Sequence, residues 1–357
     1  MKEDRMNLSE RFEKHSIEQA EKLLAGTIVC IDSHTGGEPT RLVVGGLPPI
    51  HGDNIIEKSR YFAKNYDYIR TTLTAEPRAH KAMHALILCP PSSQKADFGL
   101  IITCALGYLN MCGHGLIGAV ASVLETGIIT PKEPETKVIV ETPAGNMEVL
   151  AQISEGKVEC VTFRNQPSFV YKQDLELDVN SFGHFTVDVA YGGNWYVVVN
   201  AADVGMELNI ENLDGLGQAS RLILEAVNAR ISADHPLLGP AGEIPQLVFM
   251  GPPKNPQANG LNLITSEALG FDRSPCGTGS SAKMAVLYAR GELPLNQDYI
   301  HESATTGSLF RGRLVEKTKL GKIEAVVPEI AGSAYITAIK HIVIDPRDPL
   351  KYGFTIE

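Results

Sequence analysis

Two cysteines, far apart in the sequence, head two copies of one short pattern. The first copy reads Cys112-Gly-His-Gly, and the second reads Cys276-Gly-Thr-Gly, 164 residues later. In each copy eleven residues then precede a further glycine, Gly127 or Gly291, so the two spacings match without a gap. Two thiols brought face to face can remove a proton from one side of a carbon atom and return a proton to the other side. The repeat therefore predicts proton-transfer chemistry by a pair of thiols.

Each cysteine is predicted to lie in the turn that opens a helix. Residues 116–125 and 280–290 are largely apolar, and a glycine follows each segment where a helix stop is expected. The start of a helix has free backbone N–H groups and the positive end of the helix dipole, so we expect it to lower the pKa of the cysteine. The glycines also let these N–H groups approach a bound carboxylate closely.

A lone Cys-Gly-x-Gly has a simpler explanation, because most single cysteines are small buried core residues. Core packing is a poorer explanation for a gapless repeat with a thiol at each helix start. Packing requires apolar residues at these positions and not a thiol. The other four cysteines lie in apolar or strand-like runs and are predicted to be inert core thiols: Cys30, Cys89, Cys104 and Cys160. No set of cysteine and histidine residues has zinc spacing, so no metal ion is expected.

The composition is that of an ordinary globular protein. Hydrophobic residues make up 43% of the 357 residues and charged residues 21%. The net charge of -10, with no basic run, argues against nucleic acid as a partner. The apolar stretches are too short to span a bilayer, and the N-terminus has no apolar signal core. We therefore expect no membrane contact and a cytoplasmic location.

Short strands outnumber helices along the chain, which favours an α/β (α+β) fold. Besides the two helices after the cysteines, helices are predicted at 55–65 and 213–232, and a hairpin at 136–142 and 147–153. The length suits two domains, and the cysteine repeat indicates two similar halves.

Three segments are expected along the chain. They are a charged N-terminal arm at 1–26, a first lobe with Cys112 at 27–152 plus 331–357, and a second lobe with Cys276 at 153–330.

Four separated motifs, in this order, resemble those of the proline racemase family, which includes proline racemases, 4-hydroxyproline 2-epimerases and trans-3-hydroxyproline dehydratases. The motifs are Asp32-Ser-His-Thr-Gly-Gly-Glu-Pro-Thr-Arg41, Gly107-Tyr-Leu-Asn-Met-Cys-Gly-His-Gly115, Gly192-Gly-Asn-Trp195 and Asp272-Arg-Ser-Pro-Cys-Gly-Thr-Gly279. The resemblance runs from about Ile28 to the C-terminus. It implies a fold similar to diaminopimelate epimerase, with two pseudo-symmetric lobes, each a curved and mostly antiparallel sheet around a central helix.

The resemblance also implies a mechanism without pyridoxal phosphate, metal or any other cofactor. One cysteine thiolate removes the α-hydrogen of the substrate, and the other cysteine supplies a proton on the opposite face. Cys112 and Cys276 match the two catalytic positions, and Asp272 matches the acidic residue expected near the substrate ammonium. The residues whose backbone N–H groups are expected to hold the substrate carboxylate are Gly113, His114, Gly277 and Thr278.

One residue favours a hydroxylated substrate. Proline racemases usually have Phe after Met83, where this chain has His84, and an imidazole can hydrogen-bond a ring hydroxyl. We therefore expect a 4-hydroxyproline 2-epimerase that converts trans-4-hydroxy-L-proline to cis-4-hydroxy-D-proline, with His84 at the hydroxyl. Proline racemase is the alternative. The expected partner is a small molecule, proline or hydroxyproline, and a homodimer is compatible with the sequence.

Two further alternatives belong to other classes. A 3-hydroxyproline dehydratase usually has threonine at the second cysteine, so Cys276 argues against this activity. A non-catalytic amino-acid binder would need the helix ends but not two thiols. Trp195 fits either a pocket wall or a core position equally well.

Overall fold

The computed structural model describes residues 26–266 and 270–356. The predicted N-terminal arm, apart from Gly26, lies outside the described residues. The described chain is a mixed α/β structure, as expected, with twenty strands, two short 3-10 turns and four α-helices. The helices are α1 (Ile55–Thr74), α2 (Gly113–Glu125), α3 (Leu213–Asn228) and α4 (Gly277–Ala289). Within the described residues, no helix combines the length and the hydropathy that a bilayer span requires.

The first ten strands are β1 (Ile28–Thr35), β2 (Glu38–Gly45), β3 (His84–Cys89), β4 (Phe98–Cys104), β5 (Gly107–Leu109), β6 (Glu135–Thr142), β7 (Gly145–Ser154), β8 (Lys157–Arg164), β9 (Phe169–Val179) and β10 (Gly183–Tyr191). The other ten are β11 (Trp195–Asn200), β12 (Ala233–His235), β13 (Gly239–Gly242), β14 (Gln246–Gly251), β15 (Gly260–Ser266), β16 (Gly270–Phe271), β17 (Asp298–Ser303), β18 (Leu309–Leu320), β19 (Ile323–Gly332) and β20 (Ala334–Ile342). The hairpin predicted from the sequence is the pair β6 and β7.

Hydrogen bonds join eighteen of the strands into one continuous sheet, and β12 and β13 form a separate pair. The last strand, β20, runs antiparallel to β1 near the start of the chain. Strand β8 pairs with β7 on one side and with β19 on the other. The family resemblance implies one sheet for each lobe, and the pairing of β8 with β19 joins the strands into a single hydrogen-bonded network. The predicted lobe boundaries stay a prediction.

The two helices that follow the cysteines are buried on all sides. Helix α2 is built from small and aliphatic residues, and its first twelve residues are all buried. Helix α4 packs through Ala282 and Val286 against β10, β11, β14 and β15. Because nearly every residue of both helices is buried, other elements must cover them on all sides, and the sheet supplies this cover.

The other two helices cover the outside of the sheet. Helix α1 extends to Thr74, beyond the predicted end at residue 65, because Phe62, Ile69 and Leu73 continue the apolar spacing and all three are buried. Helix α3 ends at Asn228, four residues before the predicted end, and buries one apolar face against the second half of the sheet.

A buried ion pair stabilises the hairpin of β1 and β2. Arg41 and Asp32 face each other across the two strands, and the guanidinium donates two hydrogen bonds of 2.9 Å to the carboxylate. Arg41 also donates to the carbonyl of Leu73 at the end of α1. These charge-assisted bonds hold the pKa of Asp32 below its ordinary value, although burial opposes them. The hairpin is thereby fixed, and its β2 strand begins at Glu38, which reaches the site described next.

Candidate active site

The N-termini of α2 and α4 meet end to end. Cys112 and Cys276 are the residues directly before the two helices, so the predicted place of each cysteine is confirmed. A Cβ atom added to Gly113 would lie 3.1 Å from Cζ of Phe163 and 3.3 Å from Cα of Gly277. The reciprocal distances from Gly277 are 3.2 and 3.4 Å. Glycine at both positions is therefore what lets the two helix starts approach under the Phe163 ring.

A small cavity lies in front of these two helix starts. Its volume is about 80 Å³. At about 10–15 Å³ for each water-sized group, this leaves room for roughly five to eight such groups, the size of a small amino acid. All eight residues singled out from the sequence line it: His84, Cys112, Gly113, His114, Asp272, Cys276, Gly277 and Thr278.

Four backbone N–H groups at the helix starts have no hydrogen-bond acceptor in the described chain. The first helical bonds run from Leu116 to the Cys112 carbonyl and from Ser280 to the Cys276 carbonyl. The N–H groups of Gly115 and Gly279, directly before Leu116 and Ser280, point at the cysteine sulfur of their own helix start. The four free groups belong to Gly113, His114, Gly277 and Thr278. Together with two helix dipoles, they form a site for one anion.

Cys276 has an unusual backbone conformation. Its φ of 65° and ψ of 127° lie where residues other than glycine are rarely found. The Sγ atom accepts a hydrogen bond from the Gly279 N–H at 3.3 Å and lies 3.6 Å from the hydroxyl oxygens of Tyr196 and Thr278. The N–H of Cys276 donates to Ser274 Oγ. Strained backbone that is held by several contacts is typical of functional sites.

A buried lysine supports this backbone from behind. Lys283 lies on α4 outside the cavity lining, and its Nζ donates to Oδ1 of Asn262 at 2.8 Å. The amide nitrogen of Asn262 in turn donates to the carbonyl of Pro275, directly before Cys276. Burial lowers the pKa of Lys283 to about 7. Lys283 therefore orients Asn262 and does not itself reach the cavity.

Two histidines surround the other thiol. The Sγ atom of Cys112 lies 3.5 and 3.6 Å from the two ring nitrogens of His114. The His84 ring packs edge-on against the His114 ring, with the centroids 4.5 Å apart. Nδ1 of His84 lies 3.0 Å from the carbonyl oxygen of Ala82. Because a carbonyl only accepts, Nδ1 carries the proton, and Nε2 of the neutral ring is left as an acceptor.

The direction of the thiol pKa shifts differs from the sequence-based expectation. Burial raises the pKa of Cys276 to about 12, and the negative charge of Asp272 adds to this effect. Burial also raises the pKa of Cys112 well above its ordinary value, while the Gly115 N–H opposes it. The prediction of lowered thiol pKa values is therefore wrong for this conformation, because the cost of desolvating a thiolate exceeds the stabilisation from the helix start.

Two carboxyl groups stand beside the cavity. Asp272 accepts hydrogen bonds from the N–H and hydroxyl of Ser274, and Glu38 accepts one from the N–H of Arg273. Burial, and then the charge of Asp272, raises the pKa of Glu38 to about 9. Burial raises the pKa of Asp272 as well. Glu38 therefore retains its proton at neutral pH.

Glu38 and Tyr196 are functional candidates that sequence reasoning missed. Both line the cavity, although Glu38 lies within the first family motif and Tyr196 follows the third. Spacing alone gave no signal that their side chains converge with the cysteines. Trp195, by contrast, is not part of the cavity lining and packs edge-on against Phe169 and Tyr191 in the core.

The structure also groups three potential metal ligands that sequence spacing does not show. One donor atom from each of His84, Cys112 and His114 lies within 4.8 Å of the other two, and all three residues are buried. His84 comes from the start of β3, so no local motif contains the set. All six cysteines are free thiols, and four of them lie outside the cavity lining: Cys30, Cys89, Cys104 and Cys160.

The sequence matches the proline racemase family over residues 30–355. The chain belongs to the proline racemase family. It is 42% identical to the proline racemase of Acetoanaerobium sticklandii over 330 residues, 92% of this chain and 98% of that protein. It is 39% identical to 4-hydroxyproline 2-epimerase 2 of Brucella anthropi over 331 residues, again 92% of this chain and 98% of that protein.

Solved structures of similar fold lead to the same family. A hydroxyproline epimerase from Agrobacterium vitis, solved with bound trans-4-hydroxy-L-proline, superposes with a TM-score of 0.84 and 30% identity, over 93% of this chain and 95% of that chain. A PhzF-family protein of Bacillus anthracis shares only the fold, with a TM-score of 0.59 at 16% identity over 89% of this chain and 99% of that chain. The expected mixed α/β fold of the diaminopimelate epimerase kind is confirmed.

The contact between the helix starts is testable with Gly113→Ala. The added methyl group would press on Phe163 and Gly277, so we expect a loss of about 1–3 kcal/mol in unfolding free energy by chemical denaturation. Because the two helix starts would separate, we also expect kcat/KM to fall by about 10²-fold.

Gly215→Ala is the matched control, since Gly215 lies in α3 and its added methyl would meet only Met206 at an ordinary 3.5 Å. The unfolding free energy of this variant should rise by up to about 1 kcal/mol, and its activity should be unchanged. Wild-type activity in Gly113→Ala would contradict the proposed need for contact between the helices.

Proposed function

We propose that this protein is a cofactor-independent epimerase that uses Cys112 and Cys276 to convert trans-4-hydroxy-L-proline to cis-4-hydroxy-D-proline. The observation that carries this proposal is the pair of cysteines at two apposed helix starts, both lining one cavity of amino-acid size. Membership of a family of racemases and epimerases supports it.

The charges around the cavity suit an amino acid. In this proposal the substrate carboxylate accepts hydrogen bonds from the four free N–H groups at the helix starts. The substrate ammonium pairs with Asp272, while Glu38, whose pKa burial raises to about 9, retains its proton. Keeping the nitrogen protonated withdraws charge from the α-carbon, and the helix ends stabilise the negative charge that moves onto the carboxylate when the carbanion forms.

The thiol chemistry conserves every proton. One cysteine, as thiolate, takes the hydrogen from the α-carbon and becomes a thiol. The other cysteine, as thiol, gives its proton to the opposite face of the carbanion and becomes a thiolate. The next turnover runs in the opposite direction, or the pair first exchanges protons with solvent.

The raised thiol pKa values favour this chemistry in one respect and oppose it in another. A thiolate with a high pKa is a stronger base toward the α-hydrogen, a very weak acid. Fewer enzyme molecules, however, hold that thiolate at neutral pH. The negative charge of Asp272 contributes to the raised pKa of Cys276. A substrate ammonium next to Asp272 would offset that charge and favour the Cys276 thiolate, whereas the substrate carboxylate at the helix starts would oppose it.

His84 supports the 4-hydroxyproline assignment. Its Nε2 is the free acceptor of a buried ring that lines the cavity, and it can accept a hydrogen bond from the 4-hydroxyl. Proline racemase is the second candidate, and the 42% identity to the Acetoanaerobium sticklandii enzyme favours it. With proline bound, a water molecule beside the His84 imidazole would replace the missing hydroxyl, and little binding free energy would be lost. Relative rates with the two substrates therefore distinguish epimerase from racemase.

Single replacements Cys112→Ser and Cys276→Ser test the two-thiol mechanism. A serine hydroxyl is too weak an acid to form the required base, so each variant should lose about 10²–10⁴-fold in kcat for epimerisation. The measurement is the change in optical rotation of trans-4-hydroxy-L-proline, together with deuterium incorporation at Cα from D₂O.

Cys160→Ser is the control for these variants, because Cys160 is half-buried and lies outside the cavity lining. It should keep wild-type turnover. A binder would retain ligand affinity in all variants and show no wild-type turnover. A dehydratase would give a pyrroline product from 3-hydroxyproline and no Cα exchange with 4-hydroxyproline. Either result would refute the epimerase.

The pH dependence of kcat/KM reports the free enzyme. Because the pKa of both thiols is raised, the thiolate fraction should grow about tenfold per pH unit through the neutral range. We expect kcat/KM to be still rising at about pH 8 and to fall at higher pH, where the substrate ammonium loses its proton and both sulfurs become thiolates. A plateau already reached at about pH 6.5 would contradict the raised thiol pKa values.

His84→Phe tests the preference for 4-hydroxyproline over proline. Loss of the acceptor should reduce kcat/KM for 4-hydroxyproline relative to proline by about tenfold, the value of one hydrogen bond to a buried group. His84→Gln retains an acceptor and should recover part of the ratio. His51→Phe, at an exposed position outside the cavity, is the control. An unchanged ratio in His84→Phe, with assays of both substrates run side by side, would remove His84 from substrate selection.

A further inference from the structure

Three soft donor groups converge on one wall of the cavity. His84, Cys112 and His114 each contribute one donor atom, and these atoms lie within 4.8 Å of one another. All three side chains are buried and line the cavity. Epimerisation as proposed above uses Cys112 as a base and His84 as a hydrogen-bond acceptor, but it does not explain why an imidazole of His114 lies against the thiol.

The separations suit a tetrahedral metal ion. Zinc binds imidazole nitrogen at about 2.0–2.1 Å and thiolate sulfur at about 2.3 Å, so nitrogen and sulfur ligands of a tetrahedral site lie about 3.5 Å apart. Sγ of Cys112 lies 3.5 and 3.6 Å from the His114 ring nitrogens. The sulfur is nearly equidistant from both nitrogens, so the His114 ring has to rotate to direct one of them at the ion. The widest donor separation, at most 4.8 Å, has to shorten by at most about 1.3 Å, which rotations of the side chains can supply.

His84 has the support that is typical of a ligating histidine. Its Nδ1–H donates to the backbone carbonyl of Ala82, and this bond fixes both the tautomer and the orientation of the ring. Metal-bound histidines are usually held in this way by a carbonyl or carboxylate behind them. The lone pair of Nε2 is therefore already available to a metal ion.

We propose that one Zn²⁺ ion binds to His84, Cys112 and His114, with water from the cavity as the fourth ligand. Thiolate and imidazole donors select zinc over Mg²⁺ and Ca²⁺, which prefer oxygen ligands. On binding, the Cys112 thiol gives up its proton to solvent and a zinc–sulfur bond forms, without any change of oxidation state. Asp272, in the same cavity, adds negative charge that attracts the cation.

The bound ion is an inhibitor and not a cofactor. Zinc withdraws charge from the bonded sulfur and so makes it a weaker base toward the substrate α-hydrogen, and the ion occupies space that the substrate needs. Zinc and substrate should therefore compete. This inhibition rests on the proposed function, whereas the binding of zinc does not, and the two can be measured separately.

Binding is tested first with Co²⁺, which takes zinc sites and reports its ligands by colour. The full-length protein, freed of metal by chelation, is titrated with Co²⁺ and then with Zn²⁺. We expect one ion per chain, visible d–d bands of tetrahedral intensity and a near-ultraviolet sulfur-to-cobalt charge-transfer band, all removed by Zn²⁺ and unaffected by Mg²⁺. Absence of the charge-transfer band in the wild-type protein would overturn the proposal, whatever the variants do.

Variants then locate the ion. Cys112→Ser should abolish the charge-transfer band, and His84→Phe should weaken zinc affinity at least tenfold by calorimetry. Cys276→Ser is the matched control, since it removes the thiol opposite and should keep zinc affinity within about threefold despite its expected loss of turnover. If Cys276→Ser loses the ion and Cys112→Ser keeps it, the site lies on the other helix start and the assignment is wrong.

Inhibition is the last measurement. Zinc should raise KM for the amino-acid substrate without changing kcat, and EDTA should restore the rate. Zinc binding without competition against substrate would overturn the inhibitory part, and a wild-type protein that binds zinc but shows no turnover would count against the proposed function alone.

Discussion

Two helices that point their N-termini at each other form the constraint on which the site depends. Each end carries the equivalent of about half a positive charge, so their close approach is electrostatically unfavourable unless an anion lies between or beside them. Gly113 and Gly277 make the approach sterically feasible, and burial of both helices in the sheet enforces it. The resulting concentration of N–H groups is a preformed anion site whose own repulsion a bound carboxylate relieves.

Burial determines which anion can relieve the repulsion between the two helix starts. A thiolate at Cys112 or Cys276 would be close enough, yet desolvation raises the pKa of both thiols. A carboxylate brought by a substrate has a far lower pKa and stays ionised where the thiols do not. The resting site therefore disfavours its own thiolates and is suited to a carboxylate as the anion.

Individual residues show which features of the site could be predicted from the sequence and which could not. The cysteines, the glycines and the helix starts follow local rules, and four motifs place the chain in its family, so fold and cavity residues were predictable. The pKa direction was not, because desolvation depends on the whole surrounding core. Glu38 reaches the cavity only because Arg41 and Asp32 fix the β1–β2 hairpin, and His84 meets Cys112 only through the packing of β3 beside α2. Contacts of this kind arise from tertiary structure, which spacing does not encode.

The two halves of the site share a helix start headed by a cysteine and differ in the backbone conformation and the neighbours of that cysteine. Cys112 has an ordinary extended conformation and a histidine beside its sulfur, whereas Cys276 has a positive φ and the Tyr196 hydroxyl as a neighbour. A planar carbanion with three different groups, as in the proposed reaction, would present a different face to each sulfur, which suits two thiols with different surroundings. The strain at Cys276, held by Ser274 and by the Pro275 carbonyl that Asn262 anchors, aims one sulfur independently of the other. The repeated helix start thus brings two thiols to one cavity, and the different neighbours give each thiol its own surroundings.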